Sequence, residues 1–335
     1  MTTGTRVNSG TTGTAWRIER IESWDPAYGA STEEQPGQSR IEPVLDVECP
    51  PDRWQPVDPG PDAWPSVLFV DGVRRIDLMG WGGSDISPDG TPSLGLFASY
   101  AAGLVRCRPR QAELLAAEVY RGLFTVAPGP ALVADLVTSA GRYVGTPVAL
   151  GSARGGQVPP MQLLGDQVQI RMRAAEAELA GRAREAVEDS DLLVVDGPLN
   201  NQARLSRTLG YAKTHATLYL PAELNRMVGS LAAGQRTPVF GLRDRFSWYL
   251  KLPGGSGAPW AGVVRVECWA DLPVAEAIGL AGTSQPTLSR YASTEYKDAR
   301  APQNLYPIAG LERELRRRLG DQRLLHRAIR SAASR

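Results

Sequence analysis

Two apolar stretches of this sequence end in the same dipeptide, Asp-Gly. The first, "PSVLFVDGVRRID", covers residues 65–77 and carries Asp71, and the second, "SDLLVVDGPLNN", covers residues 190–201 and carries Asp196. Each apolar run is short and continuous, as is typical of a strand covered on both faces of a sheet. An aspartate at the end of such a strand lies at the edge of an open α/β sheet, where ligands collect. The sequence therefore predicts an α/β fold with two carboxylates at strand ends.

Strand and helix patterns are mixed along the chain after residue 65. Apolar or alternating runs predict strands at 67–72, 74–80, 93–107, 192–197, 215–220, 246–252 and 262–270. Amphipathic or Ala-rich runs predict helices at 110–124, 167–187 and 222–234, and a single helix or a pair of helices at 310–332. We expect residues 66–335 to form one domain, a mixed sheet flanked by helices.

Residues 1–65 have a different composition, rich in proline, glycine, acidic residues and tryptophan. Residues 1–66 hold 5 arginines and no lysine against 11 acidic residues, whereas residues 311–335 hold 8 arginines against 3 acidic residues. We expect residues 1–65 to be an irregular arm whose tryptophans dock on another surface. The basic C-terminal segment predicts an anionic partner, a complementary subunit or a solvated helix face.

The cysteines and the lengths of the apolar runs indicate in which cellular compartment the protein is expected. Cys49, Cys107 and Cys268 are far apart and odd in number, so they indicate neither a metal-binding spacing nor a disulfide framework. No apolar run approaches the roughly 18 residues of a membrane span. The first residues lack the apolar core of a secretion signal. We expect a cytoplasmic protein.

Asp71 and Asp196 admit several interpretations. Asp-Gly is a common turn dipeptide, so each aspartate could simply begin a turn. A P-loop is disfavoured because none of the three lysines follows a glycine, and "MGWGGSD" lacks the spacing of a dinucleotide-binding loop. A site for Mg²⁺ or Mn²⁺ remains, because these ions bind carboxylate oxygens. A third acid is available on the predicted helix before Asp196, as Glu176 or Glu178.

The order of these motifs resembles that of the NurA family of DNA-end-resecting nucleases. The motifs are the two Asp-Gly strands, "MRAAEAELA", "GYAKTH" and "NLYPIAGLE", all within residues 67–319. The resemblance implies an RNase H-like fold, Mn²⁺ or Mg²⁺ as cofactor and DNA as substrate. It also implies a homodimer that works with a HerA-type hexameric translocase in DNA end resection.

The resemblance assigns roles to individual residues. Asp71 and Asp196 match the family's metal-binding aspartates, and Glu176 matches the glutamate of its helix better than Glu178 does. Lys213 matches a lysine that the resemblance places near a DNA phosphate. Tyr306 matches the tyrosine of the family's terminal Tyr-Pro motif.

The sequence departs from the family pattern after Tyr306. The family carries a metal-binding histidine eight residues later, where this chain has Glu314. The chain's two histidines, His215 and His326, stand elsewhere. We expect one of three outcomes: Glu314 is a fourth carboxylate ligand, the site is weakened, or catalysis is lost.

Two functions follow from these expectations. One is a metal-dependent DNA nuclease of the 5′–3′ exonuclease or endonuclease type, with Asp71, Glu176 and Asp196 holding the ions and C-terminal arginines contacting the DNA backbone. The alternative is a catalytically silent adaptor that keeps the fold and docks a motor ATPase. Metal binding at the two aspartates would distinguish them.

Overall fold

The computed structural model describes residues 37–82, 93–127, 133–149, 158–186, 190–199, 204–215, 217–254, 260–294 and 300–333. The strands are β1 (Gly37–Gln38), β2 (Val67–Gly82), β3 (Ser93–Arg108), β4 (Gln111–Ala127), β5 (Leu136–Thr138), β6 (Gly141–Ala149), β7 (Leu192–Asp196), β8 (Thr208–Ala212), β9 (Thr217–Leu218), β10 (Phe240–Leu242), β11 (Arg245–Lys251) and β12 (Val263–Trp269). The helices are α1 (Pro160–Ala186), α2 (Ala222–Gly229), α3 (Val274–Ser289), α4 (Tyr306–Arg318) and α5 (Gln322–Ala333). No helix among the described residues is long and apolar enough to cross a membrane.

A ten-stranded sheet organises the described residues, in the order β10-β11-β12-β8-β7-β2-β3-β4-β6-β5. At its centre β2, β3 and β4 form an antiparallel meander, and β7 and β8 extend it in parallel on the side of β2. Helix α1 connects the meander side to β7 and packs on β2, β3 and β4. A three-stranded meander extended by two parallel strands beside its first strand is the RNase H-like arrangement. The predicted mixed sheet flanked by helices is therefore confirmed.

The two faces of the sheet are covered by different helices. On one face Leu68 and Val70 of β2 pack with α1, and on the other Phe69 and Val73 pack with α3 and α4. Because successive residues of a strand point to opposite faces, Asp71 belongs to the α4 face and Gly72 to the α1 face. This alternation places the side chains of the site described below.

The first Asp-Gly stretch differs from its prediction. The two strands expected at 67–72 and 74–80 are one strand, β2, which pairs with β3 along its whole length and has a register irregularity between Ile76 and Leu78. Asp71 is therefore inside a strand, not at its end. The second Asp-Gly stretch agrees with its prediction, because β7 ends at Asp196.

The helix predicted at 110–124 is wrong, because these residues lie in β4. Their alanine, leucine and glutamate content favours a helix. In the structure β4 pairs with β3 from Gln111 to Thr125 and with β6 from Gly122 onward. Backbone pairing on both sides outweighs the local preference, as strand formation depends strongly on tertiary context.

The remaining predictions differ from the structure mainly in their bounds. The helix at 167–187 begins earlier, at Pro160, and the helix at 222–234 ends earlier, at Gly229. The segment at 310–332 is two helices, separated at Gly320, whose φ of +86° favours glycine. The strands at 93–107, 246–252 and 262–270 are confirmed, and among the described residues of 215–220 the strand is Thr217–Leu218.

The described part of the N-terminal arm packs on the chain's own sheet. Strand β1 pairs with β9, and Val57 bridges to Arg236. Both guanidinium Nη atoms of Arg236 donate to the carboxylate of Glu48, at 2.8 and 3.0 Å. Trp54 joins the apolar cluster around Phe240. Residues 1–36 lie outside the described residues, and the domain boundary at residue 65 remains a prediction.

Candidate metal centre

Asp71 and Asp196 occupy matching positions on two neighbouring strands. The parallel pairing of β2 with β7 runs from Val67 opposite Leu192 to Val70 opposite Val195. Each aspartate is the next residue of its strand. Strand β7 then turns away at Gly197, which has a φ of +111°, while β2 continues because β3 still pairs with it. The two carboxylates therefore flank the point where the edge of β2 becomes open.

Glu312 on α4 joins the two aspartates. One carboxylate oxygen from each of Asp71, Asp196 and Glu312 lies within 4.8 Å of the others. Helix α4 approaches the sheet closely over Gly103 of β3, where a Cβ atom would lie 2.7 Å from a methyl carbon of Leu311. The absence of a side chain at Gly103 thus allows α4 to deliver Glu312 to this position. We call Asp71, Asp196 and Glu312 the acid cluster.

Glu314 lies in a different environment. Residues two apart on a helix point in nearly opposite directions, and the carboxylate of Glu314 accepts hydrogen bonds from the exposed Arg317 and Arg318 at 2.7–3.0 Å. These hydrogen bonds lower the pKa of Glu314 to about 2. The structure therefore places Glu312, and not Glu314, beside the two aspartates.

Glu176 approaches the acid cluster from the α1 face of the sheet. It lines a cavity of about 210 Å³ together with Asp71, Asp196 and Glu312. A Cβ atom on Gly72 would lie 2.2 Å from Oε1 of Glu176, so the carboxylate occupies the space above this glycine. Glu178, the other candidate on this helix, is exposed to solvent. The structure thus brings Glu176, and not Glu178, to the cavity.

Burial and the negative charges of neighbouring carboxylates make Asp71 and Glu176 hard to ionise. Burial raises the pKa of Asp71 well above its usual range, and the negative charges of Asp196, Glu312 and Glu176 raise it further. The positive charge of Lys213 acts in the opposite direction and lowers this pKa. Burial also raises the pKa of Glu176 to about 8, with a contribution from Asp196. A cation in the cavity would favour the ionised form of both groups.

Two basic side chains of the protein already contact the acid cluster. Nζ of Lys213 donates to Oδ2 of Asp196 at 2.7 Å and to Oδ1 of Asn304 at 2.9 Å. The guanidinium of Arg300 donates to both carboxylate oxygens of Glu312, at 3.0 and 2.5 Å. Burial lowers the pKa of Lys213, but the charges of Asp196 and Asp71 outweigh it and the net shift is upward. Lys213 therefore remains charged.

The donor atoms fit a hard divalent cation. Oδ1 of Asp71 accepts the backbone N–H of Gly72 at 2.8 Å, but Oδ2 is buried and has no hydrogen-bond partner among the described residues. An unpaired buried carboxylate oxygen is costly unless a cation or donor completes it. Oxygen-only ligands are those that Mg²⁺ and Mn²⁺ prefer. Asp71, Asp196 and Glu312 thus could hold such an ion, with Glu176 at the same cavity.

The other predicted residues lie outside this cavity. Tyr306 is the first residue of α4, shares a hydrogen bond with Thr294, and lines a separate groove with Glu314. His215 is half-buried and packs against Trp260, and one of its ring nitrogens lies 2.9 Å from the carbonyl oxygen of Val263. His326 is exposed on α5. Neither histidine lines the cavity of the acid cluster.

Glu312, Arg300 and Asn304 were missed by the sequence analysis. For Glu312 the periodicity of α4 contains the missing signal. The buried residues Ile308, Leu311 and Leu315 mark the face of α4 that meets the sheet. Glu312 follows Ile308 by four residues and Leu311 by one, so it shares that face. Arg300 and Asn304 come from a connecting segment without a periodic pattern.

Comparison with known proteins gives a distant likeness. No protein-family model and no curated protein matches the sequence. Among solved structures, the chain is similar to the NurA nuclease from Sulfolobus solfataricus, with 12% identity and a TM-score of 0.44 over 79% of this chain and 84% of that chain. It is also similar to human ENDOV, with 14% identity and a TM-score of 0.30 over 79% of this chain and 92% of that chain. These similarities do not establish a family for this chain, and the function proposed below rests on the geometry of the site.

Proposed function

We propose that this protein is a metal-dependent deoxyribonuclease. The observation that carries the proposal is the convergence of three carboxylates, from β2, β7 and α4, one of which, Asp71, has a buried oxygen without a hydrogen-bond partner among the described residues. Oxygen ligands assembled at the open edge of a sheet are suited to Mn²⁺ or Mg²⁺. When bound, such ions would supply Lewis acidity for attack by water on a phosphodiester.

Each side chain of the site has a definite part in this proposal. Asp71, Asp196 and Glu312 hold the cation, and Glu176 offers a further carboxylate from the opposite face of the sheet. Lys213 orients Asp196 and adds positive charge near the position of a bound phosphate. Arg300 fixes Glu312 by its paired hydrogen bonds. Tyr306 and Glu314 have no role at the cation, because they line another groove.

The sequence resemblance extends the proposal to a biological setting. The order of the motifs supports action on DNA ends, of the 5′–3′ exonuclease or endonuclease type, together with a HerA-type hexameric translocase. It also supports a homodimer. These partners are proposed on the resemblance, and the acid cluster supports only the metal-dependent chemistry.

The test compares the wild-type protein with Asp71→Asn and Asp196→Asn on end-labelled linear DNA in Mn²⁺ and in Mg²⁺. Each replacement keeps the size of the side chain and removes its charge, so we expect loss of cleavage with a folded protein. Asp166→Asn, at an exposed position of α1, is the matched control and should cleave normally. Cleavage by Asp71→Asn at the wild-type rate would refute the proposal.

One observation favours the second candidate, a catalytically silent adaptor that docks a motor ATPase. Lys213 and Arg300 already provide positive charge to Asp196 and Glu312, which could stabilise the cluster without a metal. The two functions differ in the response of the wild-type protein to metal. A nuclease should show a Mn²⁺-dependent rise in melting temperature that Asp71→Asn abolishes, because the ion binds the folded state. An adaptor of this kind should show no such rise.

A further inference from the structure

Helix α5 presents a strongly basic face beside the far half of β2. Its buried residues, Leu325, Ala328 and Ile329, face the sheet. Polar residues of α5, together with Asp77 of β2, line a cavity of about 730 Å³. We call this cavity the α5 cleft. Its basic lining residues are Arg323, His326, Arg327 and Arg330.

Two of the arginines that line the α5 cleft, Arg323 and Arg327, are exposed to solvent. In the described part of the chain, the side chains of Arg323, His326 and Arg327 form no ion pair. The one carboxylate that lines the cleft, Asp77, is buried and accepts hydrogen bonds from Nε of Arg75 at 2.9 Å and from the Ser99 hydroxyl at 2.5 Å. The carboxylate of Asp77 thus has hydrogen-bond donors on the strands of the sheet, and the arginines of α5 are exposed to solvent.

We propose that the α5 cleft binds the phosphate backbone of DNA at a site separate from the acid cluster. Unpaired arginines in a concave surface attract a polyanion and can donate hydrogen bonds to its phosphate oxygens. The choice of DNA as the polyanion rests on the proposed function. The binding itself does not require catalysis.

The cleft and the acid cluster lie along one strand. Asp71 and Asp77 are six residues apart on β2, which corresponds to about 20 Å. Helix α4 follows β2 between them, since Glu312 joins Asp71 while the carbonyl oxygen of Gly320, just beyond α4, accepts a hydrogen bond from Arg75. About six phosphates of one DNA strand cover this distance. The α5 cleft can therefore hold DNA whose cleaved bond lies at the acid cluster.

Exposed arginines on α4 lie on the same side of the sheet. Arg313 and Arg316 are exposed, and the charge of Arg316 helps to lower the pKa of Glu312 although burial opposes it. Arg313 and Arg316 add positive charge between the acid cluster and the α5 cleft. Arg317 and Arg318, in contrast, are paired with Glu314. We therefore expect the α5 cleft to increase affinity for DNA that is long enough to reach it.

The experiment measures binding of a fluorescent DNA duplex to the metal-free protein over a range of salt concentrations. The test variant is Arg323→Gln with Arg327→Gln, which removes two charges and preserves helix propensity. We expect about a tenfold loss of affinity and a salt dependence of log K that is shallower by about 1.8, or 0.9 for each lost phosphate contact.

The matched control is Arg142→Gln with Arg204→Gln, which removes two exposed arginines from other surfaces. It should retain the wild-type affinity and salt dependence. An unchanged salt dependence in the test variant, or an equal loss in the control, would overturn the proposal. So would equal displacement by polyglutamate at matched charge, which indicates an acidic protein as the partner, or a preference for phosphatidylserine vesicles.

Two measurements separate this proposal from the nuclease: binding of the duplex without metal, and cleavage of linear DNA with Mn²⁺ or Mg²⁺, each on the wild-type protein and on the α5 variant. If wild-type protein binds DNA through the α5 cleft but does not cleave it with Mn²⁺ or Mg²⁺, the nuclease proposal fails and this one stands. If the wild type cleaves DNA and the α5 variant binds DNA as tightly as the wild type, the α5 proposal fails and the nuclease proposal stands.

Discussion

Glu312 and Glu314 are two residues apart on α4, yet only Glu312 reaches the carboxylates of Asp71 and Asp196. Glu312 is buried and paired with Arg300, whereas Glu314 contacts arginines on the solvent side of the helix. The difference follows from the helical repeat, which turns residues two apart to nearly opposite sides. The pair therefore allows the metal site to be tested with two substitutions of the same chemistry on one helix.

The first prediction concerns this pair. Glu312→Gln should lower the affinity for Mn²⁺ and reduce the rise in melting temperature that Mn²⁺ produces, because a charged ligand is lost. It should also destabilise the metal-free protein by about 3 kcal/mol, since the side chain of Arg300, only 13% exposed, loses the carboxylate that accepts its paired hydrogen bonds. Glu314→Gln should leave the response to Mn²⁺ unchanged. Calorimetric titration and thermal melting measure both effects, and equal responses of the two variants would exclude Glu312 as a ligand.

The second prediction concerns Gly72. In Gly72→Ala the new methyl group would overlap Oε1 of Glu176, so this carboxylate must move away from the cavity. We expect slower metal-dependent cleavage in a protein that remains folded. Gly165→Ala on α1, where an added Cβ atom meets nothing within 4 Å, is the control. It should cleave normally and be slightly more stable, because alanine favours helix over glycine. Wild-type cleavage by Gly72→Ala would show that the position of Glu176 is unimportant.

The third prediction is a dependence of stability on pH. Because the pKa of Glu176 is raised to about 8 from the ordinary 4.5, the folded state binds its proton more strongly than the unfolded state does. The stabilisation is complete below about pH 4.5 and is lost as the pH rises through about 8. In EDTA, the wild type should therefore lose more stability between about pH 6 and pH 9 than Glu176→Gln does.

Urea unfolding of both proteins at the two pH values measures this difference. Mn²⁺ should reduce it, because the ion binds the ionised carboxylates of the folded state. The same dependence on pH in wild type and Glu176→Gln would show that this carboxyl group does not have a raised pKa.

The fourth prediction concerns the N-terminal arm. Glu48→Gln should destabilise the protein by about 3 kcal/mol, because the side chain of Arg236, only 3% exposed, loses its charged partner. Glu42→Gln, at an exposed position of the same segment, should have little effect. Urea unfolding compares the two. Equal stability of both variants would mean that the arm is only tethered to the domain.

The sequence alone identified the two aspartates and five of the ten strands of the sheet, β2, β3, β7, β11 and β12. Val67–Val70 and Leu192–Val195 are continuous apolar runs, a pattern typical of strands covered on both faces of a sheet, and the two runs pair with each other in the structure. The position of Glu176 before Asp196 also followed from the sequence, because its helix leads into β7. These features depend on local pattern and chain order, which a single sequence contains.

Only the tertiary structure decided the composition of the acid cluster and the state of β4. Gln111–Ala127 has a helical composition, but pairing with β3 and β6 makes it a strand. Glu312 joins the cluster because Gly103, far away in sequence, lets α4 lie close to the sheet. Asp71 remains inside a strand because β3 pairs with it where β7 has ended. In each case the deciding contact joins segments distant in sequence, and local propensity does not encode such a contact.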